Sequence, residues 1–169
     1  IFASSDTVFS KKKGIAYDDD SLEPLGEYAR QKSLVEKFVS HNRLVKVVRF
    51  SYILGHEDKF SCLVKMFEKA KTKLDIYIDF KRCVVLLDDV ELGIKNLIKN
   101  WDSFDFKSVN FCGPELVNRA EIANVLKSKF YPNLEYSCTK APENFWNGRA
   151  KEINLDFTNF SKILGKAPK

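Results

Sequence analysis

The 169 residues carry a net charge of +5, with 44% hydrophobic and 30% charged residues, the balance of a globular domain large enough for a real core. No apolar run approaches the ~20 residues of a membrane span, and no basic segment followed by an apolar one marks a signal peptide, so no membrane partner is expected. Lys and Arg are dispersed along the whole length, which gives no concentrated footprint for nucleic acid and suits an anionic small ligand.

In chain order, Ile1 to Ala3 reads as the end of a buried strand. A strand end at the very start predicts that the chain is a piece of a longer protein. Ser10 to Glu23 is polar, and its Lys11-Lys12-Lys13 and Asp18-Asp19-Asp20 runs read as a solvated loop. Pro24 suits a first helical turn. Leu25, Tyr28, Ala29, Lys32, Val35, Phe38 and Val39 fall near 3.6 spacing and predict a helix from about 24 to 41 with that stripe on one face. Val45 to Phe50 is β-rich and reads as the next parallel strand of a βαβ unit.

Residues 60–71 read as a second helix, with Phe60, Leu63, Val64, Phe67 and Ala70 on one face. Leu74 to Ile78 and Cys83 to Leu87 read as short strands. Asp88 or Asp89 is expected to cap a helix carrying Val90, Leu92, Ile94, Leu97 and Ile98. Ser108 to Cys112 predicts a strand stopped by Gly113-Pro114. Asn118 with Glu121 resembles a capping box opening a helix to about Lys129. Leu134 to Cys138 predicts a strand, and Thr158 to Leu164 a final helix ended by Gly165. The alternation makes this an α/β chain.

Cys62, Cys83, Cys112 and Cys138 never form C-x-x-C. Each sits in an apolar or strand-like stretch and reads as a buried, reduced thiol of a cytoplasmic protein. His41 and His56 lack metal-ligand spacing, so no metal site is expected. Phe145, Trp146, Phe157 and Phe160 read as core and lid packing.

The chemistry concentrates in Ser4-Ser5-Asp6-Thr7-Val8-Phe9 and Tyr28-Ala29-Arg30-Gln31-Lys32. Tyr28 and Lys32 stand at i and i+4, so a phenol and an ammonium share a helix face. A free phenol ionises near pH 10, and a neighbouring ammonium favours its phenolate, which suits general acid-base work. A serine hydroxyl can aim a carbonyl oxygen. Together Ser5, Tyr28 and Lys32 are apparatus for interconverting an alcohol and a ketone beside a hydride carrier.

These segments resemble the catalytic domain of extended short-chain dehydrogenase/reductases that act on nucleotide sugars. The serine segment is similar to the S-T-D-Y-V-F of the dTDP-dehydrorhamnose reductase branch. Tyr28 follows Ser5 by 23 residues and has the family's Pro four residues before it. Val47 to Gly55 is similar to the segment R-T-S-W-x-x-G. Arg82 with Val84 to Val90 resembles R-x-x-x-x-V-x-D-x-A, and Arg149 with Asn154-Leu155-Asp156 resembles R-P-x-x-x-x-L-D. Ala29, Thr7, Tyr52, Val84 and Ala150 depart from the family's usual Gly, Tyr, Trp, Pro and Pro.

The resemblance implies the C-terminal part of a Rossmann-like parallel sheet plus a small α/β substrate-binding lobe. Residues 1–55, with 83–113 returning to it, would be the second half of the Rossmann-like domain; 56–82 and 114–169 would form mainly the lobe. Ser5, Tyr28 and Lys32 would be catalytic. Tyr28, Lys32 and Ser51 would meet NAD or NADP. Asp6, Thr7, Tyr52, Arg82 and Arg149 would meet a dTDP- or UDP-sugar, the two arginines at its pyrophosphate. A homodimer through the Tyr28 helix is implied as well. The glycine-rich G-x-x-G-x-x-G turn that binds the dinucleotide in this family is not among the 169 residues. Reductase, epimerase and dehydratase stay open, as do a non-catalytic nucleotide-binding regulatory module of the same fold and an unrelated α/β domain with a chance Y-x-x-x-K.

Overall fold

The computed structural model describes residues 1–55 and 73–169; the helix expected over 60–71 lies outside them, as do Cys62 and His56. Among the described residues, ten short strands, β1 (Phe2–Ser5), β2 (Ile15–Ala16), β3 (Val47–Phe50), β4 (Tyr52–Leu54), β5 (Leu74–Tyr77), β6 (Lys81–Leu86), β7 (Ser108–Phe111), β8 (Leu116–Asn118), β9 (Tyr136–Thr139) and β10 (Glu152–Leu155), alternate with four helices. These are α1 (Glu27–Val39), α2 (Leu87–Lys99), α3 (Arg119–Lys129) and α4 (Thr158–Leu164). The expected α/β class is what the chain adopts.

One parallel sheet runs β1-β3-β7, with Phe2 opposite Val47 and Val48 opposite Val109. The β1 to β3 step, crossing through α1, is the βαβ unit that the spacing implies. In a second sheet β2, β10, β6 and β4 lie in that order, all parallel, and β8 joins β6 antiparallel. β5 and β9 form a third, parallel pair. The passage between the sheets is short: a single residue, Ser51, separates β3 from β4, so the end of the first sheet leads directly into the second.

The main core lies between the first sheet and helices α2 and α4. Val48, Val85, Val109, Leu97, Phe111 and Phe160 are fully buried there. Phe111 and Phe160 stack with centroids 4.1 Å apart. Gly93 makes this possible: a Cβ on it would meet the Phe160 ring at 2.6 Å. A second cluster gathers Val8, Phe9, Cys83, Cys112, Ile153 and Leu155 under the serine turn.

Four expectations change. Helix α1 starts at Glu27 rather than near Pro24, because Gly26 takes φ +83 and breaks the helical path. Its inward stripe is Ala29, Ser33 and Glu36, while Leu34, Val35 and Phe38 are exposed, Phe38 by 85%. Ala29 of the expected stripe thus faces in while Val35 and Phe38 face out, and the buried face is small and polar because β1 and β3 supply partners for it. Neither Asp88 nor Asp89 caps α2: the helix grows straight out of β6 with Leu86 as cap, and both aspartates fall in its first turn. Cys138 is exposed on β9, unlike the buried Cys83 and Cys112, because among the described residues β9 pairs with β5 alone. The capping box of Asn118 with Glu121 and the left-handed Gly165 cap (φ +69) form as read.

Candidate active site

Ser5 ends β1 and caps a single 3₁₀ turn over Asp6–Phe9. Its Oγ accepts from the Thr7 amide (3.3 Å) and from Thr7 Oγ1 (3.0 Å), and donates to Asp6 Oδ1 (3.1 Å). A polar turn at a strand end leaves these short side chains pointing to one side, and the second sheet closes over them. Asp6 is buried. It accepts from Ser51 Oγ at 3.2 Å and stands 3.6 Å from Arg82 Nε. Burial pushes its carboxyl above the usual carboxylate range, opposed by the Arg82 charge and the Ser5 and Ser51 hydroxyls.

Arg82, on β6, is held firmly. Its Nη1 donates to the Lys81 carbonyl at 2.6 Å and its Nη2 to the Ala150 carbonyl at 2.9 Å, while the guanidinium lies 4.1 Å from the Phe80 ring centroid. Arg149 is exposed; its Nη1 donates to the Phe145 carbonyl and its guanidinium lies 4.8 Å from that ring.

These groups surround a cavity of about 250 Å³. Ser5, Asp6, Thr7, Ser51, Tyr52, Arg82 and Arg149 all line it, joined by Phe80 and Gly148. Seven of the nine residues singled out in the sequence thus share one hollow, drawn from β1, the start of β4, β6 and the 148–150 loop.

Tyr28 and Lys32 do not line it. They stand on the neighbouring α1, Tyr28 exposed by 57%. Lys32 Nζ donates to the Ala3 carbonyl at 2.8 Å, two residues before Ser5, and lies 5.7 Å from the Tyr28 ring centroid. The ammonium therefore ties the helix to the strand that presents Ser5. Phe80, Gly148, Ser4 and Glu36 escaped the sequence reading. Glu36, one turn beyond Lys32, is buried, accepts from Ser4 Oγ, and holds Arg49 Nη2 at 2.8 Å. The four-residue step from Lys32 was its only signal.

The start of α1 is also tied to the cavity wall. Gly26 and Gly148, at φ +83 and +72, meet backbone to backbone; a Cβ on Gly26 would come within 2.6 Å of the Gly148 carbonyl. Only glycine fits such a conformation and approach.

Residues 1–126 match the family described as the RmlD substrate binding domain. This chain belongs to that family. It lies within the extended short-chain dehydrogenase/reductase group of nucleotide-sugar epimerases, dehydratases and reductases, which sets aside an unrelated α/β domain. No curated protein matches the sequence. Solved structures share the fold. The chain is similar to the UDP-glucuronic acid 4-epimerase from Bacillus cereus, solved with UDP-glucuronic acid and NAD, at 19% identity and TM-score 0.75, covering 99% of this chain and 55% of that one. A hypothetical dTDP-4-dehydrorhamnose reductase from Sulfolobus tokodaii is similar at 20% and 0.75, covering 97% and 57%. A dTDP-glucose 4,6-dehydratase from Streptomyces venezuelae, solved with NAD, is similar at 20% and 0.70, covering 99% and 54%. The RmlD-family chain thus spans just over half the length of these structures. No described helix is long and apolar enough to cross a membrane.

Proposed function

We propose that this chain forms the substrate side of a nucleotide-sugar reductase or epimerase that works by hydride transfer between a sugar carbon and NAD or NADP. The observation that carries the reading is the single cavity gathering Ser5, Asp6, Thr7, Ser51, Tyr52, Arg82 and Arg149 next to the Tyr28 helix. About 250 Å³ suits one sugar, and the Arg82 and Arg149 side places positive charge where a diphosphate would lie.

In this reading the nicotinamide supplies or accepts the hydride. Ser5 donates to the sugar carbonyl oxygen, for which it exchanges its bond to Asp6. Tyr28 moves the proton on that oxygen, and Lys32 keeps positive charge beside the phenol. Thr7 and Tyr52 meet the sugar hydroxyls. Ser51, Tyr28 and Lys32 face the cofactor. Asp6 is engaged by Ser5, Ser51 and Arg82, which favours reductase or epimerase over a dehydratase needing a free acid. The division of the chain into a Rossmann-like part over 1–55 and 83–113 and a lobe over 56–82 and 114–169 belongs to the same proposal. So does a homodimer through the exposed Leu34, Val35 and Phe38 face of α1.

The test uses the intact protein with NAD(H) or NADP(H) and UDP- or dTDP-sugars. Spectrophotometric turnover of nicotinamide, or epimerised product, supports the proposal. Calorimetric binding of a nucleotide sugar without turnover by any of them would assign a regulatory module instead.

A further inference from the structure

Three guanidinium groups share two aromatic rings at the edge of the cavity. Arg82 lies 4.1 Å and Arg119 4.6 Å from the Phe80 centroid; Arg119 lies 6.0 Å and Arg149 4.8 Å from the Phe145 centroid. Phe80 and Phe145 meet edge to face at 5.9 Å. Arg119 is thus the middle cation of the three, at the start of α3.

The three differ in what holds them. Arg82 is engaged by Asp6 and by the carbonyls of Lys81, Ala150 and Lys151. Arg149 donates to the Phe145 carbonyl. Arg119 makes no ion pair or hydrogen bond among the described residues, and its Nε is buried without a partner. Burial pulls Arg82 below the ordinary guanidinium range, and the Arg119 charge adds to it. An unpaired buried N–H and two neighbouring like charges are both unfavourable in the empty protein. An anion relieves both. Arg119 also lines a small hollow that shares Tyr52, Phe80 and Arg82 with the main cavity and is completed by Val117 and Ile122.

We propose that Arg119 is an anion-binding residue of this site: from the small hollow beside the main cavity it serves as a third cation for the diphosphate of the substrate, together with Arg82 and Arg149 on the cavity wall, while Arg82 also holds Asp6. This rests on the nucleotide-sugar reading above for the identity of the diphosphate, but not for the cation site itself. Arginine suits the task because its planar fork keeps its face on Phe80 while its edge donates to paired oxygens.

The experiment is calorimetric titration of the 169-residue chain at low salt with two probes, UDP and inorganic pyrophosphate. Wild type binds both; R119Q weakens both by about tenfold or more, with its unfolding temperature within about 2 °C of wild type. R82Q lowers the unfolding temperature, since it strands Asp6. If R119Q binds both probes as wild type does, the inference is overturned and the nucleotide-sugar reading stands. If wild type binds pyrophosphate alone and R119Q loses it, the cation site is supported and the nucleotide reading fails. Wild type binding neither probe overturns the inference. Should R119Q fail to fold, R119K decides, since it keeps the charge without the fork: weaker pyrophosphate binding supports the proposal, and unchanged binding overturns it.

Discussion

At Glu36 a carboxylate on α1 is buried against β1 and β3, one helical turn beyond Lys32. It accepts from Ser4 and from Arg49 Nε and Nη2, and Arg49 Nη1 in turn donates to the Asp18 carbonyl at 2.9 Å. Both side chains of the pair are only 5% exposed. Removing one charge leaves the other buried and uncompensated, which costs far more than the intact pair contributes. Glu36→Gln is expected to lower stability by about 3–5 kcal/mol, read as a lower urea midpoint at unchanged slope. The same pair explains a limit on sequence reading. Ser5, Asp6 and Thr7 drew attention through their spacing to Tyr28 and Lys32 and their likeness to the family's serine segment, since on their own short polar residues at a strand end commonly serve as turns and caps. Glu36 was not, since a glutamate inside a charged helix ordinarily faces water. Arg119 was hidden for the same reason: helix starts and cations are common, and only the approach of Phe80 and Phe145 gives this one a setting.

Among the elements, α1 shows how a helix can be placed against its apparent amphipathicity. Its apolar stripe suggested the buried face; Ala29 of that stripe does point inward, but its inward companions are Ser33 and Glu36, while Val35 and Phe38 are exposed. Small residues allow close approach to β1, and the buried charge finds Arg49 across the sheet. Periodicity therefore located the helix and misassigned part of its face. Its start is fixed by the Gly26–Gly148 contact, so Gly26→Ala is expected to cost about 2 kcal/mol or more, through the positive φ and the clash together. The loss should appear in chemical denaturation. At the other end of the fold, Asp89 in α2 accepts from Lys166 Nζ at 2.8 Å and from the Lys169 amide at 2.6 Å. Burial raises its carboxyl, but these contacts outweigh it and hold the net value below the usual range. Its folded state therefore releases the proton more readily than the unfolded chain. The stability it adds is present above about pH 4 and disappears as pH falls through the lowered value. Thermal melts of wild type and Asp89→Asn should differ at neutral pH and converge on acidification; a gap that persists in acid would contradict this.

For the whole molecule, the strand order β1-β3-β7 beside a second sheet set by β6 brings chain-distant residues 5, 51, 82 and 149 to one hollow. The α/β alternation and the helix ends of α3 and α4 were readable from local signals. The crossing of β6 between β4, β10 and β8 was not, because pairing depends on contacts far apart in sequence. The open apolar face of α1 predicts self-association: sedimentation velocity should show a dimer, and Phe38→Ser should shift it to monomer, whereas a wild-type monomer across micromolar concentrations would contradict the interface. The central claim is that Tyr28 moves the proton for a sugar oxygen held by Ser5. Its direct test is the turnover of nucleotide sugar by the intact protein carrying Tyr28→Phe. A fall in kcat of roughly 10²- to 10⁴-fold, with nucleotide-sugar affinity within about twofold of wild type, is the predicted result; an unchanged kcat would contradict it.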